Sequence, residues 1–100
     1  MTEQQRLDKA TYLLRAMAHP IRFQITLRLL ETNELTVTQL QEQMQLDQSL
    51  VSHHLNKMRD RGLLDSRRHG SNRFYSVGDP IYAECISKLL ASPLVTNKHA

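Results

Sequence analysis

Five side chains between residues 48 and 56 share one kind of chemistry. Gln48, Ser49, Ser52, His53 and Asn56 are short or middle-length groups that both donate and accept hydrogen bonds. Val51, Leu55 and Met58 are spaced among them at intervals of four and three, the repeat of one helical face. At about 100° per residue, that stripe turns the five polar residues outward. A merely solvated helix face is rich in Glu and Lys, which favour helix and solubility. This face carries neither until Lys57. Donors and acceptors of this reach match DNA base edges, which present both kinds of group in the major groove. His54 flanks the apolar stripe and reads as packed, whereas His53 reads as exposed. Adjacent histidines on a helix diverge, so the two cannot share one metal ion.

A second cluster follows. Arg67, Arg68, His69 and Arg73 flank a link of Gly70, Ser71 and Asn72. Arginines at a narrow hairpin can meet backbone phosphates or enter a narrow minor groove. For any single arginine the competing role is to guard an edge strand against aggregation. Residues 48–77 hold six basic residues against two acidic ones, whereas the rest of the chain is net −1. The excess positive charge therefore sits in one stretch, which suits a phosphate polyanion. Enzyme chemistry finds no footing. There is no glycine-rich phosphate loop, no carboxylate pair near a histidine and no nucleophile motif, so no catalytic residue and no cofactor is expected. The one cysteine, Cys85, cannot form an intrachain disulfide. No apolar run approaches the roughly 20 residues of a membrane span, and residues 1–6 lack a signal-peptide pattern. A soluble cytoplasmic chain without a membrane partner is expected.

These residues need elements to hold them. A chain of 100 residues bounds the answer to one domain. Gly and Pro occur only at 20, 62, 70, 78, 80 and 93, between the periodic segments. A first helix is predicted over 3–18, with Leu7, Ala10, Leu14 and Met17 on one face and Leu13 beside them. A second starts at His19-Pro20 and buries Ile21, Ile25 and Leu29, with Leu30 adding to them. A third opens on a capping box of Thr36 and Gln39, stapled by Leu35 and Leu40, and carries Val37, Leu40 and Met44. A fourth spans 47–60 with Asp47 as N-cap and stops before Gly62, suited to a left-handed residue. The period then changes to two strands, 63–69 and 73–77, joined as a hairpin. Asp79-Pro80 starts a last helix, with Ile81, Cys85 and Leu89 on one stripe and Tyr82, Ile86 and Leu90 on its neighbour. The order α-α-α-α-β-β-α describes a mainly helical winged helix-turn-helix. Residues 1–91 are expected to form the binding and dimerisation domain, and 92–100 a flexible tail.

With these motifs in order, the chain resembles the ArsR/SmtB family of bacterial transcriptional repressors over roughly residues 8–90. The resemblance rests on three stretches: Ala16 to Ile25 through His19-Pro20, Gln48 to Leu55, and Gly62 through Arg68-His69-Gly70 to Val77. It implies a symmetric homodimer through the first and last helices, a palindromic operator in double-stranded DNA, and release by an inducer. Together with the residue reading, the expected function is a sequence-specific regulator, a repressor. Helix 47–60 would enter the major groove, and hairpin 64–77 would lie on backbone or minor groove. The expected contact residues are Gln48, Ser49, Ser52, His53, Asn56, Lys57, Arg67, Arg68, His69 and Arg73.

Many members of that family sense metals, and this sequence departs from them. One family site uses a Cys-x-Cys pair at the start of the third helix, where this chain has Thr36 and Thr38. A neutral hydroxyl is a poor ligand for thiophilic ions. A second family site uses Asp and His along the last helix. Here Asp79 is followed by Tyr82, Cys85 and Ile86, so Asp79 reads as an N-cap. No metal site is expected, and the inducer is unidentified. Cys85 reads as a small core or interface residue. Two readings stand as alternatives: a winged-helix module that binds protein without specific DNA, and a thiol-responsive regulator using Cys85.

Overall fold

Local sequence sets where each helix begins. In the computed structural model, which describes residues 1–97, Thr2 and Gln5 form a capping box at the start of α1 (Glu3–Met17). The His19 side chain accepts from the Ile21 N–H, and Pro20 occupies the first turn of α2 (Pro20–Thr32). The Thr36–Gln39 capping box opens α3 (Val37–Met44) as expected. Gln45 then turns left-handed at φ 54°, and the chain re-enters as α4 (Gln48–Asp60). Asp47 holds the extended N-cap backbone, but its carboxylate makes no capping hydrogen bond, contrary to its expected role. Asp79 does cap α5 (Pro80–Ala91), bonding the Ile81 N–H at 2.8 Å.

The hairpin pairs Leu64–His69 with Asn72–Val77 around Gly70 and Ser71, so Asn72 belongs to the second strand rather than to the link. Gly70 has φ +62°, the positive value that the first central position of a type II′ turn requires. Gly62, just past α4, sits at φ +81°. Two elements went unforeseen. Leu35–Thr36 pairs with Tyr75 and Phe74, giving a three-stranded antiparallel sheet. Numbered in chain order, the strands are β1 (Leu35–Thr36), β2 (Leu64–His69) and β3 (Asn72–Val77), arranged β1-β3-β2. The stretch expected as a tail begins with a one-turn helix, α6 (Pro93–Thr96), and its residues 98–100 lie outside the described residues. The fold is a mainly helical winged helix-turn-helix with a small antiparallel sheet.

The core gathers Ile25 and Leu29 of α2, Leu40 of α3, Val51, Leu55 and Met58 of α4, Leu64 and Tyr75 of the sheet, and Tyr82 and Ile86 of α5. Thr26, fully buried, shares a short hydrogen bond with the Tyr82 hydroxyl and also donates to the Arg22 carbonyl. Burial raises the Tyr82 pKa, so this hydroxyl stays protonated.

α1 behaves differently from its pattern. Of its apolar residues only Ala16 is buried, while Leu7 is 55% and Leu14 64% exposed. On α5 the buried stripe is Tyr82 and Ile86, and Ile81 and Leu89 are exposed at 65% and 41%. Cys85 lies on that outer stripe and is exposed, not part of the protomer's core. The chain is flat, 43 × 39 × 21 Å, with a radius of gyration of 14.6 Å. About 13 Å is usual for 100 residues, and α1, fifteen residues long, buries only Ala16 in the core.

Candidate nucleic-acid interface

α4 is held in one rotation about its axis. Val51, Leu55 and Met58 have no exposed surface. His54, also buried, is gripped from α2: the Arg22 Nε donates to its Nδ1 at 3.1 Å, and the Arg22 Nη1 donates to the Ala16 carbonyl at 2.7 Å. The His19 ring lies 4.4 Å away, and His53 meets the His54 ring edge-on at 5.3 Å. Burial, then electrostatic repulsion from the His19, Arg22 and His53 side chains, pushes the His54 pKa down to about 4. At neutral pH the imidazole is therefore uncharged, which leaves Nδ1 free to accept from Arg22. One side chain thus ties the end of α1, the start of α2 and the middle of α4.

That anchoring sets the outward face. Ser49, His53 and Asn56 lie opposite the Val51 stripe and are exposed, as are Gln48 in the first turn and Lys57. Ser52 stands about 100° from Val51 and is half-buried, at the flank of the face rather than its crest. Leu50 was missed: it is 37% exposed beside Ser49. Its step of about 100° from Val51 on the other side could have signalled this. An apolar group there suits a thymine methyl, the one apolar feature of the major groove.

The four basic residues of the hairpin do not act as one patch. Alternation along the strands puts Arg68 and Arg73 on one face and Arg67 and His69 on the other. Arg68 and Arg73 are direct cross-strand partners. Arg73 is half-buried, and its Nη1 donates to the Ser66 Oγ at 2.9 Å. Arg67 is already engaged. Its Nε and Nη2 donate to the two Glu34 carboxylate oxygens at 2.7 and 2.9 Å, and its guanidinium lies 4.7 Å over the Phe74 ring. The hydrogen bond to Arg67 lowers the Glu34 pKa and, reciprocally, raises that of Arg67. Two like charges facing each other across a ladder destabilise it unless an anion lies nearby. The Arg68–Arg73 pair has that arrangement and Arg67 does not.

Thr36 is occupied as the cap of α3. Among the described residues no group of three or more His, Cys, Asp and Glu is arranged to hold a metal ion. No helix among them is long and apolar enough to cross a membrane.

Comparison with known proteins places this geometry. The family described as bacterial regulatory protein, arsR family, matches residues 19–66, from the N-cap of α2 to the middle of β2. The transcriptional repressor PagR of Bacillus anthracis is 41% identical over 88 residues, covering 88% of this chain and 87% of PagR. The transcriptional activator HlyU of Vibrio cholerae is 42% identical over 69 residues, covering 69% of this chain and 63% of HlyU. The crystal structure of PagR superposes with a TM-score of 0.79 at 38% identity, over 87% of this chain and 99% of that one.

Proposed function

The chain belongs to the arsR family of bacterial regulatory proteins, hence a DNA-binding transcription regulator, and we propose that it represses by binding an inverted-repeat operator as a homodimer. The observation that carries this reading is the outward face of α4. Gln48, Ser49, His53 and Asn56 are exposed on a helix whose opposite side is buried and whose rotation His54 fixes. α4 lies in the major groove, where these residues and Ser52 meet base edges. Arg68 and Arg73 take backbone phosphates or the minor groove, with His69 at the tip and Lys57 on the flank of α4. Arg67 contributes less, because Glu34 already holds it.

The second copy sits on α1 and α5. An open apolar groove of about 550 Å³ runs between them, lined among others by Leu13, Leu14, Met17, Ile81 and Cys85. With Leu7 and Leu89 exposed along the same two helices, each protomer presents more apolar surface than its own core covers. Fully burying one such Leu or Ile contributes about 1.5–3 kcal/mol. Residues 1–91 are the unit that binds DNA and dimerises. The protein performs no catalytic step, and its signal is not a thiophilic metal, because Thr36 and Thr38 offer hydroxyls where thiolates are needed.

Selection of bound fragments from genomic DNA, followed by footprinting, tests the reading. The expected product is an inverted repeat whose half-sites lie one helical turn, about 34 Å, apart. Bound fragments with no shared sequence would overturn it.

A further inference from the structure

Away from the reading face, α1, α2 and the end of α4 border a small open cavity of about 180 Å³ lined by Tyr12, Arg15, Ala16, Arg22 and Arg61. Among the described residues no carboxylate lines it. Among the described residues, the ion pairs are those of Arg59, Arg67 and Lys88, so none of the three cavity arginines has an acidic partner. Arg22 and Arg61 are half-buried, and Arg61 also lies 5.9 Å from the centre of the Tyr12 ring. Arg22 spends Nε on His54 and Nη1 on the Ala16 carbonyl, so Nη2 is the guanidinium nitrogen not engaged in these two bonds. The carboxyl ends of α1 and α4 each supply roughly half a negative charge. Against three guanidinia, that leaves roughly two positive charges around one hollow.

We propose that this cavity is a binding site for a small phosphate-class oxyanion. A phosphate or phosphate monoester carries about −1.5 to −2 charges at neutral pH and offers several strong acceptor oxygens, matching both the residual charge and the planar donor forks. At about 30 Å³ per water the cavity holds the equivalent of about six waters, room for a phosphate group, and its open side leaves space for a substituent in solvent. Usual sites for larger organic ligands begin near 300 Å³. The site is separate from the DNA surface. Arg61 follows Gln48 by 13 residues, so at 1.5 Å per residue it lies about 20 Å along α4 from the first turn. Its position gives occupancy a consequence. Arg15 belongs to α1, which carries the groove offered to a second copy, and Arg61 ends the reading helix. A bound oxyanion cross-links the two through charge-assisted hydrogen bonds and stiffens their relative placement.

The test is calorimetric titration of the full chain, without DNA, with inorganic phosphate in chloride buffer of matched ionic strength. Thermal melting is followed in parallel. The wild-type protein should bind phosphate saturably and melt at higher temperature with it. Arg15→Gln and Arg61→Gln, checked for helical content by circular dichroism, should each weaken phosphate binding at least tenfold. Lys88→Gln, at an exposed cation of α5 already paired with Glu84, should leave it unchanged. Absence of a saturable response in the wild-type protein, or an equal response in both cavity variants, overturns the proposal. So does a third outcome, in which free phosphate has no effect but both cavity variants weaken duplex binding as Arg68→Gln does. The hollow would then serve the DNA backbone.

Discussion

Lowering the pH from 7 toward 4 charges His54 in the unfolded chain well before it does so in the folded one. Burial and electrostatic repulsion from His19, Arg22 and His53 hold the folded pKa at about 4, against 6.5 for a free imidazole. Between those values the unfolded chain binds the extra proton, so stability falls as the pH drops through the window. Above 6.5 both states are neutral and the penalty is absent. Below about 4 both are protonated and the penalty is complete. At about 1.4 kcal/mol per pH unit its ceiling is about 3 kcal/mol, and screening near the protein surface brings it to roughly 1–3 kcal/mol. His54→Gln keeps an acceptor for Arg22 but cannot titrate. Urea unfolding of both proteins at pH 7.5 and 4.5, at one fixed concentration because association adds to apparent stability, isolates the effect. Carboxylates such as Glu34 titrate in both proteins and cancel. The wild-type protein should lose roughly 1–3 kcal/mol more than His54→Gln over this interval. Equal losses would refute the inference that His54 is buried neutral beneath Arg22.

The exposed Leu14 should lie against a second copy, so wild-type protein should sediment at twice the 11.6 kDa chain mass and Leu14→Glu at or near the monomer. A wild-type monomer at micromolar concentration would contradict the two-fold operator as well. DNA affinity should fall steeply with salt, as when roughly 4–8 phosphates per dimer are neutralised. In filter binding, Arg68→Ala and Arg73→Ala should weaken all sequences alike and Arg67→Ala less so, because Glu34 already holds Arg67. Stoichiometric zinc, cadmium or arsenite should change operator affinity by no more than a few-fold in a mobility-shift assay, with Thr36 and Thr38 in place of thiolates. A tenfold loss reversed by a chelator would reveal an overlooked site.

What was legible in the sequence is what is local. The Val51–Leu55–Met58 stripe, the Thr36–Gln39 capping box and the turn at Gly62 each depend on residues within a few positions of one another, and all three stand in the structure. β1 was not legible because two residues have no period, and only its pairing with Tyr75 and Phe74 makes it a strand. The apolar face of α1 was read correctly as a pattern, but a pattern does not say what covers it, and within the protomer little does. Asp47 has the residue type of an N-cap, yet its carboxylate makes no capping bond. The ties that shape the candidate interface join residues far apart in sequence. Arg22 reaches His54 across 32 positions and Arg67 reaches Glu34 across 33, so the arginine cluster of the hairpin looked larger in sequence than it is in space. The cavity of Tyr12, Arg15, Arg22 and Arg61 was invisible for the same reason.

The central claim is that the outward face of α4 reads sequence while the hairpin supplies affinity common to all DNA. Titrating Ser52→Ala and His53→Ala against operator and scrambled duplexes tests it most directly, with Leu55→Ala as a control that should lower the melting temperature through a cavity costing roughly 2–5 kcal/mol. Each outward substitution should cost on the order of 1–3 kcal/mol at the operator and little on scrambled DNA, the signature of a lost base contact. If both variants keep the wild-type ratio of specific to non-specific binding, α4 is not the reading element and the account is wrong at its centre.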